Sequence, residues 1–203
     1  METKKLLKIF LIILGGVIII AGINPASRIV WFLESMGIFI IAVLLVYHRD
    51  KINFSNLAYS LIFIYLFLGA IGAHYSFENV PIKNLQEILG TKKDPHDRFV
   101  HFSFGLFLYY PILEFFKRTT KLKDNFWIYF VPFMIISGIG AFYEIAEWSV
   151  GMAIDPENTY EFLGMVGDEW DAQKDMLINS LGAFVSMIIV MITKPHRFAI
   201  IKK

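Results

Sequence analysis

Three short blocks of the sequence carry residue types that can move protons or hold a metal ion. Asp97 and His101 stand four residues apart. Glu144 and Glu147 stand three apart, inside the otherwise apolar run Gly140-Ala141-Phe142-Tyr143-Glu144-Ile145-Ala146-Glu147-Trp148. Asp171, Asp175 and Asn179 follow one another at intervals of four. Residues three or four apart share one face of an α-helix, so each block presents its polar groups as a set. Imidazole nitrogen combined with carboxylate oxygen suits zinc, manganese or iron, whereas carboxylates with carbonyls alone suit magnesium or calcium. The candidate ligands of a divalent metal ion are therefore Asp97, His101, Glu144, Glu147, Asp171 and Asp175. An ion so held polarises a phosphoryl or carbonyl oxygen, or generates hydroxide near neutral pH. Without an ion, His101, Glu144 and Asp175 are the candidate catalytic acids and bases of a dry pocket.

Plainer roles exist for the same side chains. His101 can act as hydrogen-bonded glue to a neighbouring carboxylate, and Glu144 and Glu147 can pair with Arg98 and His101 to join helices. Asp171 or Asp175 can cap the helix that follows, where a carboxylate meets unpaired amides. Asp155, Glu157 and Glu161 read as a solvated loop, Trp148 and Trp170 as an interfacial aromatic belt, and Glu34 and His74 as optional members of the site. No H-E-x-x-H, phosphate-binding glycine loop or G-x-S-x-G elbow occurs, and the chain has no cysteine.

The elements that must position these groups are set by composition. Of 203 residues 56% are hydrophobic and 18% charged, against about a quarter charged in a soluble domain. A hydrocarbon core about 30 Å thick takes about 20 apolar residues of helix. Runs of that kind lie at 6–23, 29–47, 56–75, 99–116, 126–147 and 176–193. The expectation is an all-α, polytopic transmembrane helical bundle of about six spans, forming a single domain over residues 1–203. The first run is too long for a signal-peptide core and ends at Ile23-Asn24-Pro25 without a small-x-small site, which predicts a retained helix. Pro111 and Pro132 fall inside spans and predict kinks, tolerated where neighbours satisfy the freed carbonyls. Gly69 with Ala73, and the run 137–141, offer small surfaces for close helix approach.

Lysine and arginine placement orients the bundle. Thirteen lie in the two terminal tails and the second and fourth connections; six lie in the other connections. Both termini are therefore expected in the cytoplasm. Glu34, His74, Asp94, His96, Asp97, His101, Glu144, Glu147, Asp168, Glu169, Asp171, Asp175 and Asn179 then gather at the non-cytoplasmic ends of the spans. The expected location is the cytoplasmic or inner membrane of a prokaryote, and the expected partners are membrane lipids and a lipid-linked substrate. A net charge of +1 with no basic stripe argues against nucleic acid.

The block Asp94-Pro95-His96-Asp97-Arg98-Phe99-Val100-His101-Phe102, the run Tyr143–Trp148 and the block Gly167-Asp168-Glu169-Trp170-Asp171-Ala172-Gln173-Lys174-Asp175-Met176 resemble the YjdF-like family of uncharacterised integral membrane proteins. More distantly, Asp97, His101, Glu144, Asp175 and Asn179 fall where VanZ-like proteins carry D-K-x-x-H-F, a helix-borne acid and D-x-x-x-N-x-x-G-A. This chain departs from that pattern with Arg98 in place of Lys and Glu147-Trp148 in place of a His-Gln pair. The association of VanZ-like proteins with glycopeptide resistance implies envelope lipids or wall precursors as the substrate class.

Three functions compete on these residues. A membrane enzyme would act on lipid or lipid-linked envelope substrates at the outer face. A structural or accessory protein would use the cluster only to join helices. A cation or lipid transporter would need polar residues continuing across the bilayer, and the cytoplasmic halves of the spans read as nearly all apolar.

Overall fold

The computed structural model describes residues 3–77, 80–81, 95–121, 123–153, 159 and 169–194. Six helices account for the described elements: α1 (Thr3–Ala21), α2 (Arg28–Ile52), α3 (Asn56–His74), α4 (Pro95–Thr119), α5 (Phe126–Gly151) and α6 (Asp171–Thr193). The last five are long and apolar enough to cross a membrane. In α1 the lysines Lys4, Lys5 and Lys8 occupy the first two turns, and the apolar stretch follows at 9–21. Ser27, Ser55 and Asn125 cap α2, α3 and α5 by accepting from backbone amides of the first turn, which satisfies donors that would otherwise face lipid or interface unpaired.

Contacts at the helix ends sort the bundle into two polar layers. Lys4 pairs with Asp50 at 2.7 Å, joining the start of α1 to the end of α2. His74 donates from Nδ1 to the Ala21 carbonyl at 2.7 Å, joining the ends of α1 and α3. The starts of α2, α4 and α6 thus share one face with the ends of α1, α3 and α5, as alternate crossings require.

Several helices run beyond the apolar stretches that announce them. α4 begins at Pro95 rather than at residue 99, and α6 at Asp171 rather than at residue 176. Hydropathy ends a span at the first cluster of charge, but hydrogen bonding continues the helix wherever those charges find partners. Here they do: Arg98 of α4 bonds Asp171 and Asp175 of α6.

α4 is central, packing on α3, α5 and α6, and its closest neighbour is α6. Two glycines permit that approach. A Cβ on Gly105 would run into the Asn179 carbonyl, and one on Gly182 into the Phe102 carbonyl. Asn179 is wholly buried, lies against Gly140, and donates from Nδ2 to the Ile136 carbonyl of α5 at 3.1 Å. Tyr109 donates its hydroxyl to the Tyr129 carbonyl at 2.9 Å, in the turn before Pro132, where a ring without an N–H loosens the backbone ladder.

The cytoplasm-assigned layer corrects one expectation. Glu114 is buried in α4. It accepts from the Ser55 amide at 2.7 Å and hydroxyl at 2.6 Å, and from Arg118 Nη2 at 2.6 Å. That half of the bundle is therefore not uniformly apolar, and its buried carboxylate is consumed in clamping α4 to the α2–α3 turn.

Candidate functional site

The first turns of α4 and α6 and the last turns of α5 meet at the opposite layer. Asp97 and His101 sit one turn apart on α4, with His101 Nε2 3.5 Å from Asp97 Oδ1 and 3.6 Å from Glu144 Oε1 on α5. One ligand-type atom each from Asp97, His101 and Asp175 lies within 4.8 Å of the other two. Two ligands each about 2.1 Å from a tetrahedral zinc stand about 3.4 Å apart. The pairs around His101 already have that spacing; a separation at the 4.8 Å limit would have to close by about 1.4 Å around an ion.

Arg98 fixes the acidic wall. Its Nη2 reaches Asp171 Oδ1 at 2.7 Å, and its Nη1 reaches Asp175 Oδ1 at 3.0 Å. Both carboxylates are buried, so a neighbouring guanidinium is what lets them remain in an apolar bundle. A carboxylate has two oxygens, and Asp175 can serve Arg98 with one and a cation with the other. Arg98 therefore pairs across α4 and α6, not with Glu144 or Glu147. Asp171 opens α6 without a side-chain cap on that helix; its carboxylate goes to Arg98.

Above the trio lies a cavity of about 380 Å³, within the range of about 300–1,000 Å³ common for small-molecule sites. Glu34, Asp97, His101, Glu144, Glu147 and Asp175 contribute its polar wall. Tyr143 donates its hydroxyl to Glu34 Oε2 at 2.8 Å, linking α5 to α2. Glu34, an optional member by sequence, thus belongs to the site, whereas His74 is engaged with α1. His96 is buried beside the Phe77 ring, centroids 5.9 Å apart, and Glu169, Trp148 and Trp170 are exposed. Asp94, Asp155, Glu157, Glu161 and Asp168 lie outside the described residues.

Sequence reasoning missed Tyr143 and Glu114. Each is a polar side chain inside an apolar run, and the signal available was the cost of leaving such a group without a partner in lipid.

Fold and site together define a multi-pass helical membrane protein with an acidic and imidazole cluster at one membrane face. The chain belongs to the family described as predicted membrane protein DUF2238, whose model matches residues 6–196. It is 29% identical over 175 residues to the inner membrane protein YjdF of Escherichia coli (strain K12), covering 86% of this chain and 83% of that protein. No solved structure matches.

Proposed function

We propose that this protein is a metal-dependent enzyme of the prokaryotic inner membrane, acting at the non-cytoplasmic face on a lipid or lipid-linked envelope substrate. The observation that carries the reading is the convergence of Asp97, His101 and Asp175 ligand atoms within 4.8 Å. In this reading those three residues hold a divalent ion, and the mixed nitrogen and oxygen donors favour zinc, manganese or iron. The ion supplies a Lewis acid for a phosphoryl or carbonyl oxygen. Glu144, 3.6 Å from His101, would take the proton from the attacking water and return it to the leaving oxygen, and Arg98 keeps Asp175 in place. The excess of lysine and arginine at the opposite face supports cytoplasmic termini, and the inner-membrane relative supports the location.

The test is metal content of the purified wild type beside His101→Ala and Glu144→Ala. About one ion per chain is expected in the wild type and in Glu144→Ala, and none in His101→Ala. Metal-free wild-type protein, prepared without chelator and given excess zinc and manganese, would overturn the proposal.

The Arg98–Asp171–Asp175 network supports a second reading, in which the cluster only joins helices. It predicts that His101→Ala lowers folded yield as much as Arg98→Met does, with no separable loss of metal.

A further inference from the structure

The polar wall accounts for one end of the 380 Å³ cavity. Most of its remaining lining is apolar, from Ile38, Ile41, Val100, Phe104 and Ile139 among others. Ile40 of α2 and Phe142 of α5 line it and are themselves 56% and 74% exposed, as residues that also reach the outside of the bundle would be. In a helix read as spanning a bilayer, that outside is hydrocarbon. α2 packs on α3 and only grazes α1 and α4, while α5 packs on α4 and α6, so α2 and α5 form two lips of the cavity. The hydrogen bond from Tyr143 to Glu34 joins those lips. Of the three glycines on its wall, Gly37, Gly69 and Gly140, two leave room: a Cβ at Gly37 would meet nothing within 4 Å, and one at Gly69 would touch only Ile38, at 3.7 Å.

We infer that the gap between α2 and α5 is a lateral slot for one hydrocarbon chain of a bilayer lipid, entered from the membrane and ending at the Asp97–His101–Asp175 trio. The occupant follows from the walls. A water-soluble ligand would leave Ile40, Phe142, Val100 and Phe104 facing its polar surface, whereas an alkyl chain removes apolar surface on both sides and reaches the slot without leaving the bilayer. Resting on the enzyme reading above, the slot makes the substrate a molecule whose reacting group sits at the end of a membrane-embedded chain. The Tyr143–Glu34 bond holds the lips together across the opening.

The experiment uses the full-length protein in nanodiscs containing phosphatidylethanolamine with a diazirine in its acyl chain, photolysed and mapped by mass spectrometry. Adducts are expected on Gly69 and Val100, which are buried and out of reach of lipid that merely surrounds the bundle. Gly37→Leu fills the slot and should lower those adducts about tenfold. Gly138→Leu, also at a glycine with open space around its Cβ but off the cavity wall, should not. Tyr143→Phe, which frees the lips, should raise them about threefold, the worth of one hydrogen bond between membrane helices.

Adducts confined to outward side chains such as Ile12 and Ile192, or internal adducts indifferent to Gly37→Leu, would overturn the slot. Labelling is read without turnover, in wild type, in chelator-treated protein and in His101→Ala. Internal adducts that persist in the chelator-treated protein and in His101→Ala uphold the slot independently of metal, and internal adducts in a wild type that takes up no zinc or manganese uphold the slot and defeat only the enzyme reading. Bound metal with no internal adducts does the reverse.

Discussion

Replacing Arg98 by methionine removes the cation shared by two buried carboxylates and keeps most of the side-chain volume. The arginine side chain is 19% exposed, and those of Asp171 and Asp175 are 8% and 3% exposed, at 2.7 and 3.0 Å from the guanidinium. Removing one partner of a buried pair costs about 3–5 kcal/mol, chiefly because the other charge is left unpaired. Arg98 keeps some contact with the interface, so the lower end, about 3 kcal/mol, is expected. For a chain of this size that lowers Tm by about 6–12 °C. Thermal unfolding in nanodiscs, followed by tryptophan fluorescence, reads it. Tyr143→Phe, which removes a neutral donor, sets the scale for an ordinary membrane hydrogen bond: about 0.6 kcal/mol, or about 1–2 °C. Because the penalty belongs to the orphaned charges, the triple variant Arg98→Met/Asp171→Asn/Asp175→Asn should regain at least half of the lost stability. An Arg98→Met protein within about 2 °C of wild type, or a triple variant less stable than the single one, would refute the claim that these pairs hold α4 to α6.

Gly182→Ala forces a methyl group against the Phe102 carbonyl and should cost about 1–3 kcal/mol by overpacking. Gly138→Ala, with open space at its Cβ, should instead gain up to about 1 kcal/mol of helix propensity; equal effects in thermal unfolding would remove the close α4–α6 crossing as their cause. The cysteine-free background permits topology mapping with an impermeant maleimide on intact cells. Ala26→Cys should label from outside, and Lys51→Cys and Lys121→Cys only after permeabilisation; the reverse pattern would move the cluster to the cytoplasmic face.

The six helices among the described residues and the membrane setting were legible because about 20 apolar residues in a row have few other uses. The starts of α3 and α5 were also legible, at Asn56 and Phe126; those of α4 and α6 were not. At Asp97 and Asp171 the hydropathy signal fades while the helix continues, since what stabilises those turns is Arg98, a partner more than 70 residues away in sequence. Spacing revealed that Asp97 and His101 share a face, but it carries no information about which faces of different helices meet. The pairing of Arg98 with α6, and the meeting of His101 with Glu144 across α4 and α5, are products of packing around Gly105, Gly140 and Gly182. Sequence reading flagged Gly140 as a packing surface, within the run 137–141, and met Gly182 only as the glycine of the D-x-x-x-N-x-x-G-A block. Glu114 shows the converse failure: an isolated carboxylate in an apolar run carries no spacing to interpret, and its role appears only when Ser55 and Arg118 are beside it.

The central claim is that Asp97, His101 and Asp175 together hold a divalent ion, and X-ray absorption at the zinc edge tests it most directly. Protein loaded with about one equivalent of zinc should show nitrogen and oxygen scatterers at about 2.0–2.1 Å with the outer-shell signature of a single imidazole. That signature should vanish in His101→Ala. A spectrum without imidazole, or one that His101→Ala leaves unchanged, would contradict the account and place the ion elsewhere.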